Sequence, residues 1–237
     1  MALPFFYIAA YDFSQKEIIL DEDTTKHVVQ VLRMKVGEQL NLTDGKGNLL
    51  TCEIKDDHKK HCAVEVKNII SRERGTRKVS IAISLLKNSN RFEWFLEKAT
   101  ELGVCEIIPL VCERTEKEKF RYDRMQGILI SAMLQSQQVW LPELAEPVSF
   151  KKFIENTAFE NKFIAHCIEN DKRELHQIKL SQLTGSQICI GPEGDFTNSE
   201  IEEAIKKNFI PVGLGQTRLR TETAGVVAGV LLVNPVA

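Results

Sequence analysis

The chain has 237 residues, of which 43% are hydrophobic, so it is long enough for two domains or one large one with an ordinary core. Its net charge is -2, because 31 basic residues face 33 acidic ones, so any nucleic-acid-binding surface must be local. The longest apolar C-terminal stretch, residues 224–233, is shorter than the roughly 20 residues of a membrane span. The N-terminus has no signal-peptide pattern. We therefore expect a cytoplasmic protein without a membrane segment.

The first 70 residues predict a small β-rich domain with one helix. The strand-like runs cover residues 17–20, 38–43, 49–55 and 62–70. The predicted helix, residues 24–33, takes Asp23 or Thr24 as its N-cap and buries Val28, Val29 and Leu32. The turn at residues 43–48 is typical of a hairpin loop.

A charged, aperiodic stretch at residues 71–78 is typical of a linker, so we expect domains at 1–72 and 73–237. After the linker, strand and helix patterns alternate. The strands are expected at 79–85, 105–110, 163–165, 188–190 and 210–214, and the helices at 91–102, 121–138, 198–208 and 222–232. This alternation predicts a parallel sheet covered by helices. Residues 141–161 stay unassigned, because Pro142 and Pro147 interrupt any long helix.

Six cysteines are spread through apolar contexts without a C-x-x-C pair: Cys52, Cys62, Cys105, Cys112, Cys167 and Cys189. This spacing argues against a zinc site and against a disulfide framework. We expect buried, reduced thiols and no metal.

The first chemistry-bearing segment, residues 190–197, joins a strand to a helix through Gly and Pro, which allow backbone to approach a ligand. Thr197 and Glu200 have capping-box spacing. A tight turn without a ligand and a phosphate site at the helix start are both open alternatives. Because Glu193 and Asp195 place two carboxylates there, a cationic or zwitterionic ligand fits better than an anion.

The second such segment, residues 214–224, holds Arg218, Arg220 and Glu222 just before a helix that contains Gly225 and Gly229. On its own it is also compatible with a surface ion pair beside a buried helix. Two loops of this kind, both at the carboxyl ends of strands in an α/β pattern, predict a ligand-binding enzyme.

These motifs together resemble the RsmE family of ribosomal RNA uracil-N3 methyltransferases, which belongs to the SPOUT superfamily. The resemblance rests on Gly191-Pro192-Glu193-Gly194 with Phe196, and on Leu214-Gly215, Leu219-Arg220 and Glu222-Thr223-Ala224. Residues 27–38 resemble the family's N-terminal PUA-like RNA-binding domain. Residues 98–104, followed by 108–110 and Glu113-Arg114, resemble the first helix and second strand of its catalytic domain.

The chain departs from the family pattern at five positions. The family usually has Gly at Asp195, a basic residue at Thr217 and an apolar one at Arg218. In the helix around Gln135, which is kept, Leu134 and Gln138 replace an acid and an arginine.

The resemblance implies a SPOUT-type parallel sheet with a C-terminal trefoil knot, preceded by a small PUA-like β-barrel domain. It also implies a homodimer and S-adenosylmethionine as methyl donor, without a metal. Carried over to this sequence, the cofactor-binding residues are His166, Gly191, Pro192, Glu193, Gly194, Leu214, Gly215, Leu219, Arg220 and Thr223. His166 is equally compatible with a structural role in its loop.

The acceptor chemistry points to two residues near the second loop. Uracil N3 becomes nucleophilic only after it loses its proton, so a cation must favour the anion or a base must remove the proton. Arg220 is the predicted catalytic cation, since arginine stays protonated and can hold charge on a uracil oxygen. Glu222 is the second predicted catalytic residue, either orienting Arg220 or acting as the base.

The expected partner is 16S ribosomal RNA or the small ribosomal subunit, with a target base that is single-stranded or flipped out. Arg33, Lys35 and Arg114 are the predicted RNA-binding residues, and the basic residues of the linker and of 117–124 are further candidates. Two alternatives remain open: an RNA-binding protein of this fold without catalysis, and a SPOUT methyltransferase that acts on another RNA. A nucleotide-dependent oxidoreductase is disfavoured, because no G-x-G-x-x-G follows the first strand of the second domain.

Overall fold

The computed structural model describes residues 3–75, 77–116, 119–168, 172–180 and 184–234. The chain divides into two compact units. The first comprises residues 1–74 and 133–141, and the second comprises residues 75–132 and 142–237. The sequence did not predict that residues 133–141 pack with the N-terminal part, and the boundary after residue 72 stays a prediction.

The first unit contains a five-stranded sheet in the order β1-β3-β4-β5-β2. Its strands are β1 (Phe5–Tyr7), β2 (Glu17–Ile19), β3 (Gln39–Thr43), β4 (Asn48–Asp56) and β5 (Ala63–Ser71). Strand β1 runs parallel to β3, and the other pairs are antiparallel. Alternate residues such as Leu40 and Leu42, and Leu50, Cys52 and Ile54, are fully buried, as period-two patterning dictates. Closure of this sheet into a barrel stays a prediction.

The helical segment of the first unit differs from the prediction. Helix α1 (Glu22–Lys26) is capped by Asp21, whose Oδ1 accepts from the Thr24 amide at 2.8 Å, so the expected caps Asp23 and Thr24 were wrong. A π-helical turn, His27–Val31, follows it. Val28 and Val29 are buried as predicted, but Leu32 is 43% exposed. The wider π turn adds a residue per turn and moves Leu32 off the buried face.

The segment 133–141 joins the first unit at the hairpin turn between β3 and β4. The Leu141 amide donates to the Gly45 carbonyl, and the Gly47 amide donates to the Val139 carbonyl, both at 2.8 Å. Gly47 has φ +98, and a Cβ there would lie 2.5 Å from the Trp140 ring. Only glycine fits this turn, because both the backbone angle and the indole exclude a side chain.

The second unit is the predicted parallel sheet covered by helices. Its strands are β6 (Val79–Ser84), β7 (Glu106–Val111), β8 (Glu143–Leu144), β9 (Val148–Ser149), β10 (Asn161–Ala165), β11 (Arg173–Glu174), β12 (Ser186–Ile190) and β13 (Ile210–Gly213). They lie in the order β11-β13-β10-β12-β6-β7-β8, with β9 also paired to β7, and every pair is parallel.

In the described part of the chain, five helices follow β6: α2 (Ser89–Leu102), α3 (Tyr122–Gln135), α4 (Phe150–Asn156), α5 (Asn198–Lys206) and α6 (Thr221–Val233). The unassigned segment thus contains β8, β9 and α4, whose two-residue strands are too short to show a period. On one face, Phe150 and Phe196 pack with Ile108, Ile164 and other buried residues. Among the described residues, no helix has the length and apolarity needed to cross a membrane.

Helix α6 packs very closely on α2 and β6. A Cβ at Gly225 would lie 2.6 Å from the Phe95 ring of α2 and 3.0 Å from Ile83 of β6. At Gly229 the corresponding contacts begin at 3.4 Å, which is ordinary van der Waals distance. Gly225 therefore serves packing inside this chain, and it fixes the start of the helix that follows the second loop.

Candidate functional site

A cavity of about 720 Å³ lies at the carboxyl ends of β10, β12 and β13. The structure brings both predicted loops and the loop after β10 to its wall. The predicted cofactor-binding residues that border it are His166, Gly191, Pro192, Glu193, Leu214, Gly215, Leu219 and Arg220. This volume falls within the range of small-molecule sites, about 300–1,000 Å³. Neighbouring parallel strands end at one edge of a sheet, which is why these segments meet.

Asp195 fastens the first loop to the loop after β10. Its Oδ2 accepts from the Cys167 amide and its Oδ1 from the Phe196 amide, both at 2.8 Å. Asp195 has φ +63, a backbone conformation that non-glycine residues seldom adopt. The two hydrogen bonds offset the strain of that conformation. The carboxylate expected beside the ligand is therefore also a structural link between two walls of the cavity.

The loop after β7 holds the other side of the first loop. Arg114 Nη1 donates to the Gly194 carbonyl at 2.7 Å. Glu113 Oε2 accepts from Thr197 Oγ1 at 2.9 Å, and the Glu113 amide donates to Glu200 Oε1 at 2.9 Å. The capping box predicted for Thr197 and Glu200 is confirmed. The start of α5 and the loop before it are thus fixed by both backbone and side-chain partners.

The second loop is held more sparsely. Gly215 has φ +119, and its amide donates to Glu174 Oε2 of β11 at 2.9 Å. Arg220 is the N-cap residue of α6, but its side chain makes no capping hydrogen bond. Its side chain is exposed and borders the cavity.

Glu222 lies in the first turn of α6 and is only 7% exposed. Its Oε1 is 3.7 Å from Nε of Arg91, which lies in the first turn of α2 and borders the cavity. Among the described residues, Glu222 Oε2 is buried without a hydrogen-bond partner. A buried carboxylate of this kind requires a nearby cation, and Arg91 is the one that pairs with it.

His166 follows β10 and is 6% exposed. Neither ring nitrogen has a hydrogen-bond partner in the described part of the chain. Burial lowers the pKa of His166, and the positive charge of Lys172 adds to this, while Asp195 opposes it. A neutral imidazole has one donor and one acceptor, so His166 can bind a polar ligand atom at this wall.

The remaining predicted residues lie elsewhere. Gly194 and Thr223 do not border the cavity. Gly194 lies between two residues that do, and Thr223 precedes one that does. Arg33 and Lys35 belong to the first unit. Arg33 is exposed with φ +58, and Lys35 Nζ pairs with Asp57 at 3.1 Å. Among the further basic candidates, Lys117 lies outside the described residues.

Sequence reasoning missed Arg91 and Lys172 as cavity residues, and it missed the buried position of Glu222. Nothing in the local sequence of α2 marks Arg91, because its partner is 131 positions away. Cys167 is exposed and Cys105 half-buried, so the expectation of six buried thiols was wrong for these two; none of the six cysteines forms a disulfide. The described residues contain no group of three or more His, Cys, Asp or Glu side chains that could hold a metal ion.

Comparisons with known proteins match both parts of the chain. Residues 73–233 match a family model described as an RNA methyltransferase domain, and residues 20–67 match one described as an RNA methyltransferase PUA domain. Ribosomal RNA small subunit methyltransferase E of Synechocystis sp. is 31% identical over 227 residues, which cover 93% of this chain and 74% of that protein.

Two crystal structures extend this similarity to the fold. A probable rRNA-methyltransferase from Porphyromonas gingivalis is 36% identical and has a TM-score of 0.89, over 96% of this chain and 95% of that one. Ribosomal RNA small subunit methyltransferase E from Neisseria gonorrhoeae, bound to S-adenosyl methionine, is 28% identical and has a TM-score of 0.85, over 97% of each chain.

A parallel sheet with a cavity at its carboxyl edge, preceded by a small β-rich PUA-like part, defines the class as a two-part RNA methyltransferase. Within that class, the chain belongs to the RsmE family, that of ribosomal RNA small subunit methyltransferase E.

Proposed function

We propose that this protein transfers a methyl group from S-adenosyl methionine to N3 of a uridine in 16S ribosomal RNA of the small subunit. The observation that carries the proposal is the coincidence of two findings. The chain matches an RNA methyltransferase domain over residues 73–233, and its cavity is bordered by the two glycine-containing loops of that domain. We further propose that it acts in the cytoplasm.

The cavity suits a zwitterionic ligand with a cationic centre. Glu193 and Asp195 place carboxylates on one wall, and Lys172 and Arg220 place cations elsewhere around it. His166 offers two ring nitrogens without protein partners among the described residues. S-adenosyl methionine, when bound, supplies a methyl group on a positively charged sulfur. The backbone of Gly191–Glu193 and Leu214–Gly215, with Leu219, would hold it.

The residues of this chain act mainly by placing the acceptor and stabilising its charge. The N3–H bond of uracil must break before N3 can give an electron pair to the methyl carbon. The resulting negative charge spreads over N3 and the two neighbouring carbonyl oxygens. Arg220, exposed at the cavity and permanently charged, is positioned to hold one of those oxygens. Glu222, buried in the first turn of α6, is the second residue proposed for this step, either as the base or by orienting an arginine.

We propose that the C-terminal part forms a trefoil knot. Strand β11 precedes β12 and β13 in the chain, yet β13 lies between β11 and β10 in the sheet. The chain from β10 to β11 therefore crosses the position of β13. In a knot, the chain after β13 would pass through this segment before α6 packs on α2. Packing of α6 against both α2 and the 3-10 turn Leu175–Gln177 supports such threading. Knots are rare exceptions among folds, so chain connection rules would not predict one.

We propose that two copies of the chain associate through α6. Beyond Thr223 this helix has no polar side chain up to Val233, although it covers only one face of the sheet. Its buried face includes Ala228 and Leu232, whereas Val230 is 41% exposed. Helices that are apolar all round are normally buried on every side. A second copy of the chain would cover the Val230 side and bring its own residues towards the acceptor.

The first unit is the proposed RNA-binding part. Arg33 and Lys35 are exposed on it and suit phosphate contacts, and Arg114 is the proposed contact from the second unit. Because N3 is hidden in a base pair, the target uridine must be unpaired or flipped out.

The test is to incubate the purified protein with S-adenosyl methionine and small ribosomal subunits that lack the modification. The RNA is then digested and analysed by mass spectrometry for N3-methyluridine. We expect this nucleoside to appear, at one uridine. Cofactor binding without any methylated nucleoside would indicate another RNA substrate. Absence of both would indicate an RNA-binding protein without catalysis.

A further inference from the structure

A second guanidinium, that of Arg91, borders the cavity next to the second loop. The Arg91 side chain lies in the first turn of α2 and is 39% exposed, so its head reaches the solvent side of the cavity wall. Among the described residues, its one charged partner is Glu222, 3.7 Å from Nε. The two terminal nitrogens of the guanidinium are left without a hydrogen-bond partner in the same part of the chain. Arg91 is therefore ion-paired with Glu222 on the Nε side of its guanidinium, and its two terminal nitrogens remain as donors.

Among the described residues, the ion pair with Arg91 is the one polar contact of the Glu222 side chain. The residue is 7% exposed, and no ion pair or hydrogen bond joins it to Arg220 among the described residues. Its second oxygen is buried without a partner. Burying a charge in this way is costly unless an opposite charge pairs with it. The group that it faces is Arg91.

We propose that Arg91 contacts the acceptor base and holds negative charge on one uracil oxygen, and that Glu222 is a positioning residue that fixes its guanidinium. This inference rests on the proposed function and deepens it. Loss of the N3 proton leaves charge on two carbonyl oxygens, one on each side of N3. A single guanidinium at Arg220 serves one of them. Arg91 supplies the matching donor for the other, so the two arginines together favour the N3 anion.

The methyl transfer needs no base from the protein. The N3–H bond breaks and its proton passes to solvent water. The N3 electron pair forms the bond to the methyl carbon, and the pair of the broken carbon–sulfur bond stays on sulfur, which becomes neutral. The two guanidiniums lower the pKa of N3 itself, by about 1 to 3 units for an opposite charge within contact distance.

The charged groups around this end of α2 come from α2 itself and from three other elements. Glu222 and Arg220 come from α6 and its N-cap, Glu193 comes from the first loop, and Arg124 of α3 pairs with Glu93 of α2. In the proposed step the group that loses a proton is N3 of the acceptor, so the apparent pKa of N3 is the quantity that reports on Arg91.

The experiment compares Arg91→Gln, Glu222→Gln and the double variant with the wild-type enzyme. The matched control is Lys98→Gln, which removes a cation from the same helix at a surface pair with Glu101. Turnover is measured on unmodified small subunits from about pH 6 to 9, and cofactor affinity is measured by calorimetry with S-adenosyl methionine alone. For Arg91→Gln we expect kcat to fall about 100-fold at neutral pH. Cofactor Kd should stay within about twofold, and the rate profile should shift to higher pH by about 1 unit or more.

Glu222→Gln should show the same alkaline shift, and the double variant should be no slower than Arg91→Gln, because the two residues act as one unit. The inference is overturned if Arg91→Gln behaves like Lys98→Gln, if its defect is the same at every pH, or if it abolishes cofactor binding. A kcat for Glu222→Gln far below that of Arg91→Gln would also overturn the inference, since Glu222 would then be the base. Failure of the proposed function is different: the wild-type protein itself would produce no N3-methyluridine.

Discussion

The two loops that meet at the cavity are built in opposite ways. The first, at residues 191–197, is tied to the rest of the second unit by Asp195, by Glu193, which accepts from the Lys87 amide, and by Arg114. The second, at residues 214–220, has one such hydrogen bond among the described residues, from the Gly215 amide to Glu174. Its residues from Gly215 to Arg218 are exposed.

This difference separates two tasks within one site. A loop held by many hydrogen bonds is preorganised and presents fixed backbone groups to a ligand. A loop held mainly at its ends, by Glu174 and by the start of α6, can adjust when a ligand arrives. We infer that the first loop determines mainly cofactor affinity, and that the second contributes mainly through its side chains.

The largest expected effect comes from the second loop, at Arg220. Because its side chain makes no capping bond and borders the cavity, Arg220→Ala removes a charge donor and leaves the protein scaffold intact. We expect kcat to fall about 10²–10³-fold on unmodified small subunits. Lys98→Gln serves as the control. If the loss were confined to cofactor Kd, Arg220 would be a cofactor ligand alone, and the division of tasks between the loops would fail.

The next effect concerns what holds the second loop. Its C-terminal anchor is α6, which packs against Phe95 through Gly225. Gly225→Ala should lower the free energy of unfolding by about 1–3 kcal/mol, because the new Cβ overlaps that ring. Chemical denaturation measures this. Gly229→Ala is the control: its Cβ meets ordinary contacts, so the helix-propensity gain of up to about 1 kcal/mol should dominate. Equal effects at both glycines would show that close packing at Gly225 does not anchor the loop.

The two loops also show how much of this structure could be predicted from the sequence. The parallel sheet follows from apolar runs such as β6 and β12, which are buried on both faces and alternate with helices. The capping box at Thr197 is local chemistry, so it was predicted correctly. Both loops were found because glycine and charge cluster there.

Contacts between distant positions could not be predicted. Arg91 meets Glu222 only through the packing of α2 on α6, and Asp195 reaches Cys167 only through the sheet order. The docking of 133–141 against the hairpin turn also depends on tertiary contacts, since Trp140 reads like any core aromatic residue. The π-helical turn at His27–Val31 has no sequence signature that separates it from an α-helix.

A smaller effect is expected at Asp195, and it tests whether the first loop is preorganised. Asp195→Ala removes both hydrogen bonds and keeps the unfavourable φ, so S-adenosyl methionine should bind about 10-fold more weakly, with kcat at saturation little changed. Asp195→Gly removes the bonds but relieves the strain, and should lose less affinity. Calorimetry on the two variants separates the contribution of the hydrogen bonds from that of the backbone strain. Wild-type affinity in both would mean that the tie to Cys167 is dispensable.

The smallest effect is expected at Arg114, where the two proposed roles give different results. As a partner of the Gly194 carbonyl, it supports the first loop, and Arg114→Ala should weaken cofactor binding about threefold to tenfold. As an RNA phosphate contact, its loss should reduce the slope of log affinity against log salt by about 1. Both measurements use the same variant, with Lys98→Gln as the control for a lost surface cation. Weaker cofactor binding with an unchanged salt slope would show that Arg114 supports the loop and does not contact RNA. The Arg114 guanidinium already donates to the Gly194 carbonyl, and the RNA contacts would then belong to Arg33 and Lys35.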